Sequence, residues 1–186
     1  MKKNVLVGQS GGPTAVINAS LYGVITESLK HDEEIDTVYG MVNGIEGFLA
    51  DHYLDLSHTL GSRELELLKL TPAAYLGSCR FKLPEDLNSE VYRTLFRKFE
   101  ALNIGYFFYI GGNDSMDTVS KLSRYAAAVK SGIRVIGVPK TIDNDLIMTD
   151  HTPGFGSAAK YAASMVREIA LDASVNQQKS VTNIDL

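Results

Sequence analysis

Two hydrophobic patterns alternate along the chain: short apolar runs, and longer segments in which apolar residues recur every three or four positions. The short runs predict buried strands, and the longer segments predict helices. Strands are predicted at residues 4–7, 37–42, 106–110, 134–138 and 180–184. Helices are predicted at residues 14–30, 62–70, 88–102, 114–129 and 156–171, with Ser62 as a candidate cap of the second. Asn43, Gly44 and Gly47 predict an irregular segment after the second strand.

The order of strand, glycine-rich turn and helix repeats along the chain. This order predicts parallel strands joined by right-handed crossover helices, which would cover both faces of the sheet. The predicted fold class is therefore α/β, with a mostly parallel, Rossmann-like sheet in three layers. Ligands of such sheets bind beyond the carboxyl ends of the strands, and the most informative loops of this sequence follow predicted strands.

Composition and charge narrow the function classes. Of the 186 residues, 45% are hydrophobic and 22% are charged, and the net charge is −4. The sequence lacks the cluster of lysine and arginine residues that would indicate a nucleic-acid partner. No apolar stretch approaches the length of a membrane span. The single cysteine, Cys79, excludes an intrachain disulfide framework and is compatible with a reducing compartment. The four histidines show no metal-binding spacing.

The loop after the first predicted strand contains Gly11 and Gly12, followed by Pro13 and Thr14 at the start of a helix. Glycines let a ligand approach the backbone, and the free N–H groups of a helix start attract an anion. A plain tight turn between strand and helix explains the same residues, so this loop alone does not choose between the two interpretations.

A second loop, Gly111 and Gly112 followed by Asn113, Asp114 and Ser115, comes after the aromatic strand. Asp114 and Ser115 have side chains that commonly cap helices. A carboxylate here would repel a phosphate unless a cation lay between them, so the alternative, a phosphate site, includes Mg²⁺.

The third loop is the most unusual, because seven residues after another strand include Lys140, Thr141, Asp143 and Asp145. An aspartate at this edge can accept a proton from a substrate hydroxyl, and the lysine can neutralise a phosphate. A polar surface turn explains the polarity of the segment. It does not explain why two other strand-end loops carry related features.

A fourth loop contains Arg80 after Gly77, Ser78 and Cys79. The planar guanidinium group of arginine suits phosphate oxygens, although a surface arginine is the favoured explanation of this loop taken alone. Cys79 is interpreted as a small packing residue rather than a nucleophile.

Five segments together resemble the phosphofructokinase family. They are SGGPTAVIN (10–18), LGSCRF (76–81), IGGNDSMDTV (110–119), PKTIDNDL (139–146) and TPGFGSAAKYAA (152–163). They occur in the order of the family, and the resemblance extends to about residue 182. It implies a three-layer phosphofructokinase-type fold in which residues 1–186 form the phosphoryl-donor-binding domain. The family continues into a Met-Gly-Arg sugar-binding segment, so most of the smaller sugar-phosphate domain is expected to be missing.

The resemblance also implies a reaction, the Mg²⁺-dependent transfer of a phosphoryl group to the 1-hydroxyl of fructose 6-phosphate, in a cytoplasmic homo-oligomer. Its implied residues fall into three groups. Gly12, Lys140 and Ser115 would bind the donor. Arg80, Thr141, Asp143 and Asp145 would act in catalysis, with Asp143 as the base, and Thr141, Ile142 and Asp143 would contact the sugar. Asn113 stands where the family usually has its Mg²⁺-linked aspartate, so Asn113 and Asp114 are the implied metal residues.

The same motifs imply the identity of the phosphoryl donor. Relatives that use ATP typically read GGDGS and PGTIDND, and here Asp114 and Lys140 replace a glycine of each motif. A carboxylate at Asp114 would repel the α-phosphate of ATP, and Lys140 would add positive charge beside a short donor. Binding sites often select one ligand by combining an attractive contact with a repulsive one. These two replacements resemble the diphosphate-dependent branch of the family.

Three alternatives stay open at this point. The first is an ATP-dependent 6-phosphofructokinase, which Asp114 and Lys140 disfavour. The second is a catalytically incomplete fragment that binds phosphate compounds. The third is a dinucleotide-binding domain, which the sequence disfavours because no GxGxxG motif follows the first strand.

Overall fold

The computed structural model describes residues 2–175 and shows two compact units. The first unit is Met1–Lys140, and the second begins at Thr141. The strand predicted at residues 180–184 lies outside the described residues.

The first unit is built on a five-stranded sheet. Its strands, in chain order, are β1 (Lys3–Gln9), β2 (Ile35–Met41), β3 (Tyr53–Asp55), β4 (Ile104–Gly111) and β5 (Arg134–Pro139). Across the sheet the order is β3-β2-β1-β4-β5. β1 pairs in parallel with β2 and β4, and β4 pairs in parallel with β5, whereas β3 is antiparallel to β2. The prediction of a mostly parallel sheet is confirmed.

The described helices are α1 (Ala15–Ser28), α2 (Gly44–Leu49), α3 (Leu56–Thr59), α4 (Ser62–Leu68), α5 (Glu90–Ala101), α6 (Asn113–Ala128) and α7 (Phe155–Ser174). All five predicted helices are confirmed, with small shifts at their ends. Ser62 is not a cap, because it is the first residue of α4 and Gly61 occupies the capping position.

The segment predicted to be irregular is instead helical, since α2 begins at Gly44. Asn43 and Gly44 have left-handed φ values of 56° and 57°, which turn the chain at the start of the helix. A Cβ on Gly47 would lie 1.8 Å from the carbonyl oxygen of Val42. Gly47 therefore permits a close backbone approach rather than breaking the helix. Neither β3 nor α3 was predicted, because each is too short for its periodicity to be read.

Helices cover both faces of the sheet, as predicted. Side chains alternate across β1, so that Leu6 belongs to one apolar core and Val5 and Val7 to the other. Helices α2, α5 and α6 supply the first core, and α1 and α4 supply the second. The two cores pack against opposite faces of the sheet, and this packing positions the loops at the carboxyl ends of the strands.

The second unit contains residues 141–154 and α7. Asn144 organises its first loop, with a left-handed φ of 56°. The Asn144 side chain donates to the carbonyl oxygen of Asp150 at 3.1 Å and accepts from the N–H of Thr152 at 2.8 Å. Among the described helices, α7 included, none combines the length and the hydropathy that crossing a membrane requires.

Candidate functional site

A pocket of about 340 Å³ lies at the carboxyl ends of β1, β4 and β5. We call it the strand-end pocket. Its lining residues are Ser10, Gly11, Gly12, Cys79, Arg80, Phe81, Lys82, Gly112, Asn113, Asp114, Ser115, Thr118 and Lys140. The six residues of the first unit that were predicted as site residues all line it, although they are up to 128 positions apart in the chain.

Parallel pairing brings the three strand-end loops together. Gln9 of β1 is in register with Ile110 of β4, and Gly111 is in register with Pro139 of β5. Hydrogen bonds continue beyond the strands, because the N–H of Ser10 donates to Ile110 O at 3.0 Å and that of Lys140 donates to Gly111 O at 2.8 Å. The loops are therefore neighbours because their strands are neighbours.

The first loop leaves space on the pocket side. Gly11 has a φ of +79°, a left-handed conformation that favours glycine. A Cβ added to Gly12 would have no neighbour within 4 Å. The following helix, α1, has Thr14 at its capping position without a side-chain capping bond. The loop thus presents an open, glycine-lined surface beside a helix start.

The second loop is tightly packed where β4 ends. The buried hydroxyl groups of Ser10 and Ser115 hydrogen-bond to each other and so join this loop to the first one. The capping interpretation of Asp114 and Ser115 is wrong, because Gly112 occupies the capping position and α6 begins at Asn113. Asp114 and Ser115 therefore lie inside the first turn of α6, where Asp114 is exposed and Ser115 is buried.

Gly111→Ala is expected to lower the free energy of unfolding by about 1–3 kcal/mol, the usual cost of overpacking. Its Cβ would lie 2.0 Å from Ser115 Oγ and 2.7 Å from Ser10 O. Gly132→Ala is the matched control, since its Cβ would meet no atom within 4 Å and its φ is not left-handed. Urea unfolding of both variants measures the difference, and equal stabilities would contradict close packing at Gly111.

Lys140 joins two of the loops. Its side chain is only 8% exposed, and its Nζ donates to the carbonyl oxygen of Gly12 at 2.6 Å. With its backbone N–H bound to Gly111 O, Lys140 connects the ends of all three strands. A buried ammonium group at the wall of a pocket favours a negatively charged occupant.

Three cationic side chains and one carboxylate line the pocket: Arg80, Lys82 and Lys140 against Asp114. Cationic side chains thus outnumber carboxylates on the pocket lining, within a chain whose net charge is −4. Lys82 was not singled out from the sequence. Its position two residues after Arg80 could have indicated it, because in an extended segment the side chains of residues two apart lie on the same side.

Two ionisable groups near the pocket support its walls. Burial raises the pKa of Tyr109, so its phenol stays neutral where its hydroxyl lies 3.8 Å from Cys79 Sγ. The carboxylates of Asp117 and Glu85 raise the pKa of Lys121. The charged Lys121 also donates to Leu83 O at 3.3 Å, which anchors the segment that carries Arg80 and Lys82.

The remaining predicted site residues belong to the second unit. The backbone N–H of Asp143 donates to Thr141 Oγ1 at 3.0 Å. Asp143 and Asp145 are exposed on either side of Asn144, and Ile142 is exposed as well. Asn144, which sequence reasoning passed over, holds the turn from which both carboxylates project.

The residues present fit a magnesium ion that arrives with phosphate. Within residues 2–175, no three histidine, cysteine, aspartate or glutamate side chains are grouped so that they could hold a metal. Asn113 and Asp114 offer an amide oxygen and a carboxylate, both exposed at the pocket. Mg²⁺ commonly takes one or two protein carboxylates together with substrate phosphates and water.

The chain is similar in sequence to known proteins along nearly its whole length. A model of the family described as phosphofructokinase matches residues 4–184. The chain is 47% identical over 171 residues to the pyrophosphate–fructose 6-phosphate 1-phosphotransferase of Rhodospirillum rubrum, covering 92% of this chain and 41% of that protein. The chain thus spans about two fifths of the length of that relative.

Solved structures give the same result for the fold. The pyrophosphate-dependent phosphofructokinase of Nitrosospira multiformis matches with a TM-score of 0.84 at 43% identity, over 96% of this chain and 44% of that one. The corresponding enzyme of Marinobacter aquaeolei matches with a TM-score of 0.80 at 47% identity, over 92% and 42%. With the family model matching nearly all of its length, the chain belongs to the phosphofructokinase family.

Proposed function

We propose that this chain supplies the phosphoryl-donor half of a cytoplasmic, homo-oligomeric, diphosphate-dependent 6-phosphofructokinase of glycolysis. The reaction transfers a phosphoryl group from diphosphate to the 1-hydroxyl of fructose 6-phosphate and gives fructose 1,6-bisphosphate. The strand-end pocket carries this proposal, because cationic side chains outnumber carboxylates on its lining, which suits a small polyanion. Its volume of about 340 Å³ is at the lower end of ligand pockets, as a ligand of two phosphate groups requires.

The donor would lie against the glycine loops. Gly12 leaves open space for a phosphate group, and the Ser115 hydroxyl and the Lys140 ammonium group are at the pocket wall. Arg80 is exposed at the same pocket and would neutralise the phosphoryl group during transfer. Positioning and charge neutralisation supply most of the catalysis in phosphoryl transfer.

Asn113 and Asp114 would hold Mg²⁺ together with oxygens of the bound diphosphate. When bound, the ion would polarise the transferring group and offset the charge of the leaving phosphate. Asp114 would also exclude longer donors, because an exposed carboxylate in the first turn of α6 repels a further phosphate group. This supports diphosphate over ATP.

The acceptor side would be formed from the segment that follows Lys140. Thr141, Ile142 and Asp143 would contact the sugar, and Asp143 would take the proton of the 1-hydroxyl. The hydroxyl oxygen then forms a bond to phosphorus as the bond from phosphorus to the bridging oxygen breaks, and inorganic phosphate leaves. Asp145 would support this site through its charge.

The test is calorimetric titration of the chain with diphosphate and with ATP in the presence of Mg²⁺, followed by an assay with fructose 6-phosphate. Diphosphate is expected to bind more tightly than ATP and to give fructose 1,6-bisphosphate. Tighter binding of ATP would favour the ATP-dependent alternative. Binding of diphosphate without turnover would favour a phosphate-binding role for these residues by themselves.

The variant Gly12→Ala should separate binding from folding in the same titration. Its methyl group meets no protein atom within 4 Å, so the unfolding transition should not move. The methyl group would occupy space needed by the donor, and diphosphate affinity should fall about ten-fold or more. Unchanged affinity would remove Gly12 from the donor site.

A further inference from the structure

Lys82 is placed at the strand-end pocket by two anchors on its own segment. The carbonyl oxygen of Cys79 accepts from the N–H of Gly11 at 3.2 Å. Leu83 is buried, and its carbonyl oxygen accepts from Lys121 Nζ at 3.3 Å. Because the segment is tied on both sides, Lys82 is presented to the pocket before any ligand arrives.

The ammonium group of Lys82 faces the carboxylate of Asp114. The two groups are 3.6 Å apart, and the side chains are 77% and 83% exposed. Exposed ion pairs are weak because water screens them and holding two long side chains costs entropy. This pair therefore separates readily when a stronger partner for either group enters the pocket.

We propose that Lys82 is a further diphosphate-binding residue, held at the pocket by Asp114 until Mg²⁺ and diphosphate arrive. The inference rests on the proposed function. Asp114 would then be a ligand of the bound Mg²⁺, which would free Lys82 to donate to a phosphate oxygen. The charges of Lys82 and Asp114 would then each have a partner before and after binding, and the ligand would meet no uncompensated carboxylate.

The first test is calorimetric titration of the chain with diphosphate in Mg²⁺. Lys82→Met is expected to weaken binding about ten-fold or more, because a charge-assisted hydrogen bond is lost. Lys82→Arg should retain most of the affinity. Lys30→Met is the matched control, since Lys30 is also exposed and paired, with Glu27 at 2.8 Å, but does not line the pocket. If the diphosphate affinity of Lys82→Met were within about two-fold of that of the wild type, the inference would be overturned.

The second test addresses the exchange of partners. Without Mg²⁺, Asp114→Asn should bind diphosphate more tightly than the wild type, because Lys82 is released and a repelling carboxylate is removed. Weaker binding would mean that Asp114 is needed to position Lys82, which contradicts the exchange. If the wild-type chain bound no diphosphate, the proposed function itself would be contradicted. If Lys82→Met bound diphosphate as tightly as the wild type, only this inference would be contradicted.

Discussion

Asp143→Asn is expected to lower turnover of diphosphate and fructose 6-phosphate by about two orders of magnitude or more, the usual contribution of a positioned base. Asparagine has nearly the same shape as aspartate but cannot take the proton of the 1-hydroxyl. The affinity for diphosphate should stay unchanged, since the strand-end pocket lies wholly in the first unit. Steady-state assays and calorimetric titration of the same protein measure the two quantities.

Asp150→Asn is the matched control for this variant. Asp150 is another exposed aspartate of the second unit, and its backbone oxygen, not its carboxylate, accepts the bond from Asn144. It should retain normal turnover. Near-normal turnover of Asp143→Asn would remove Asp143 from its role as the base. Equal losses in both variants would indicate a general effect of charge.

Lys140→Met is expected to weaken diphosphate binding roughly 10- to 100-fold, the range for a hydrogen bond to a charged group. The substitution keeps the length of the side chain and removes both the charge and the bond to Gly12 O. Because this bond joins two loops, part of the loss should come from a less ordered first loop. Calorimetric titration measures the affinity, and thermal unfolding shows whether the variant remains folded.

Lys98→Met is the matched control for Lys140→Met. The Lys98 side chain is also largely buried, at 20% exposure, but its partner is Asp51, and it does not line the pocket. Its loss should reduce stability more than diphosphate affinity. If Lys140→Met bound diphosphate as tightly as the wild type, the proposed donor site would have to exclude Lys140.

Several of these features were predictable because their physical causes are local. Continuous apolar runs located β1, β4 and β5, as is typical of strands in a parallel sheet covered by helices. β1 and β4 are largely buried, whereas β5 is half-buried and not fully buried as its apolar sequence predicted. Glycines at the ends of two strands located the loops. Gly11, after β1, has a left-handed backbone, and Gly111, the last residue of β4, leaves no room for a side chain.

The chain by itself determined the α/β class, the parallel sheet and the family, because these follow from periodicity and from motifs in a set order. Only the tertiary structure decided which side chains face each other. Lys140 reaching Gly12, Lys82 facing Asp114, and Ser115 bonding Ser10 instead of capping α6 all depend on strand order and register. Those contacts join residues that are 32 to 128 positions apart, and no local pattern encodes such distances.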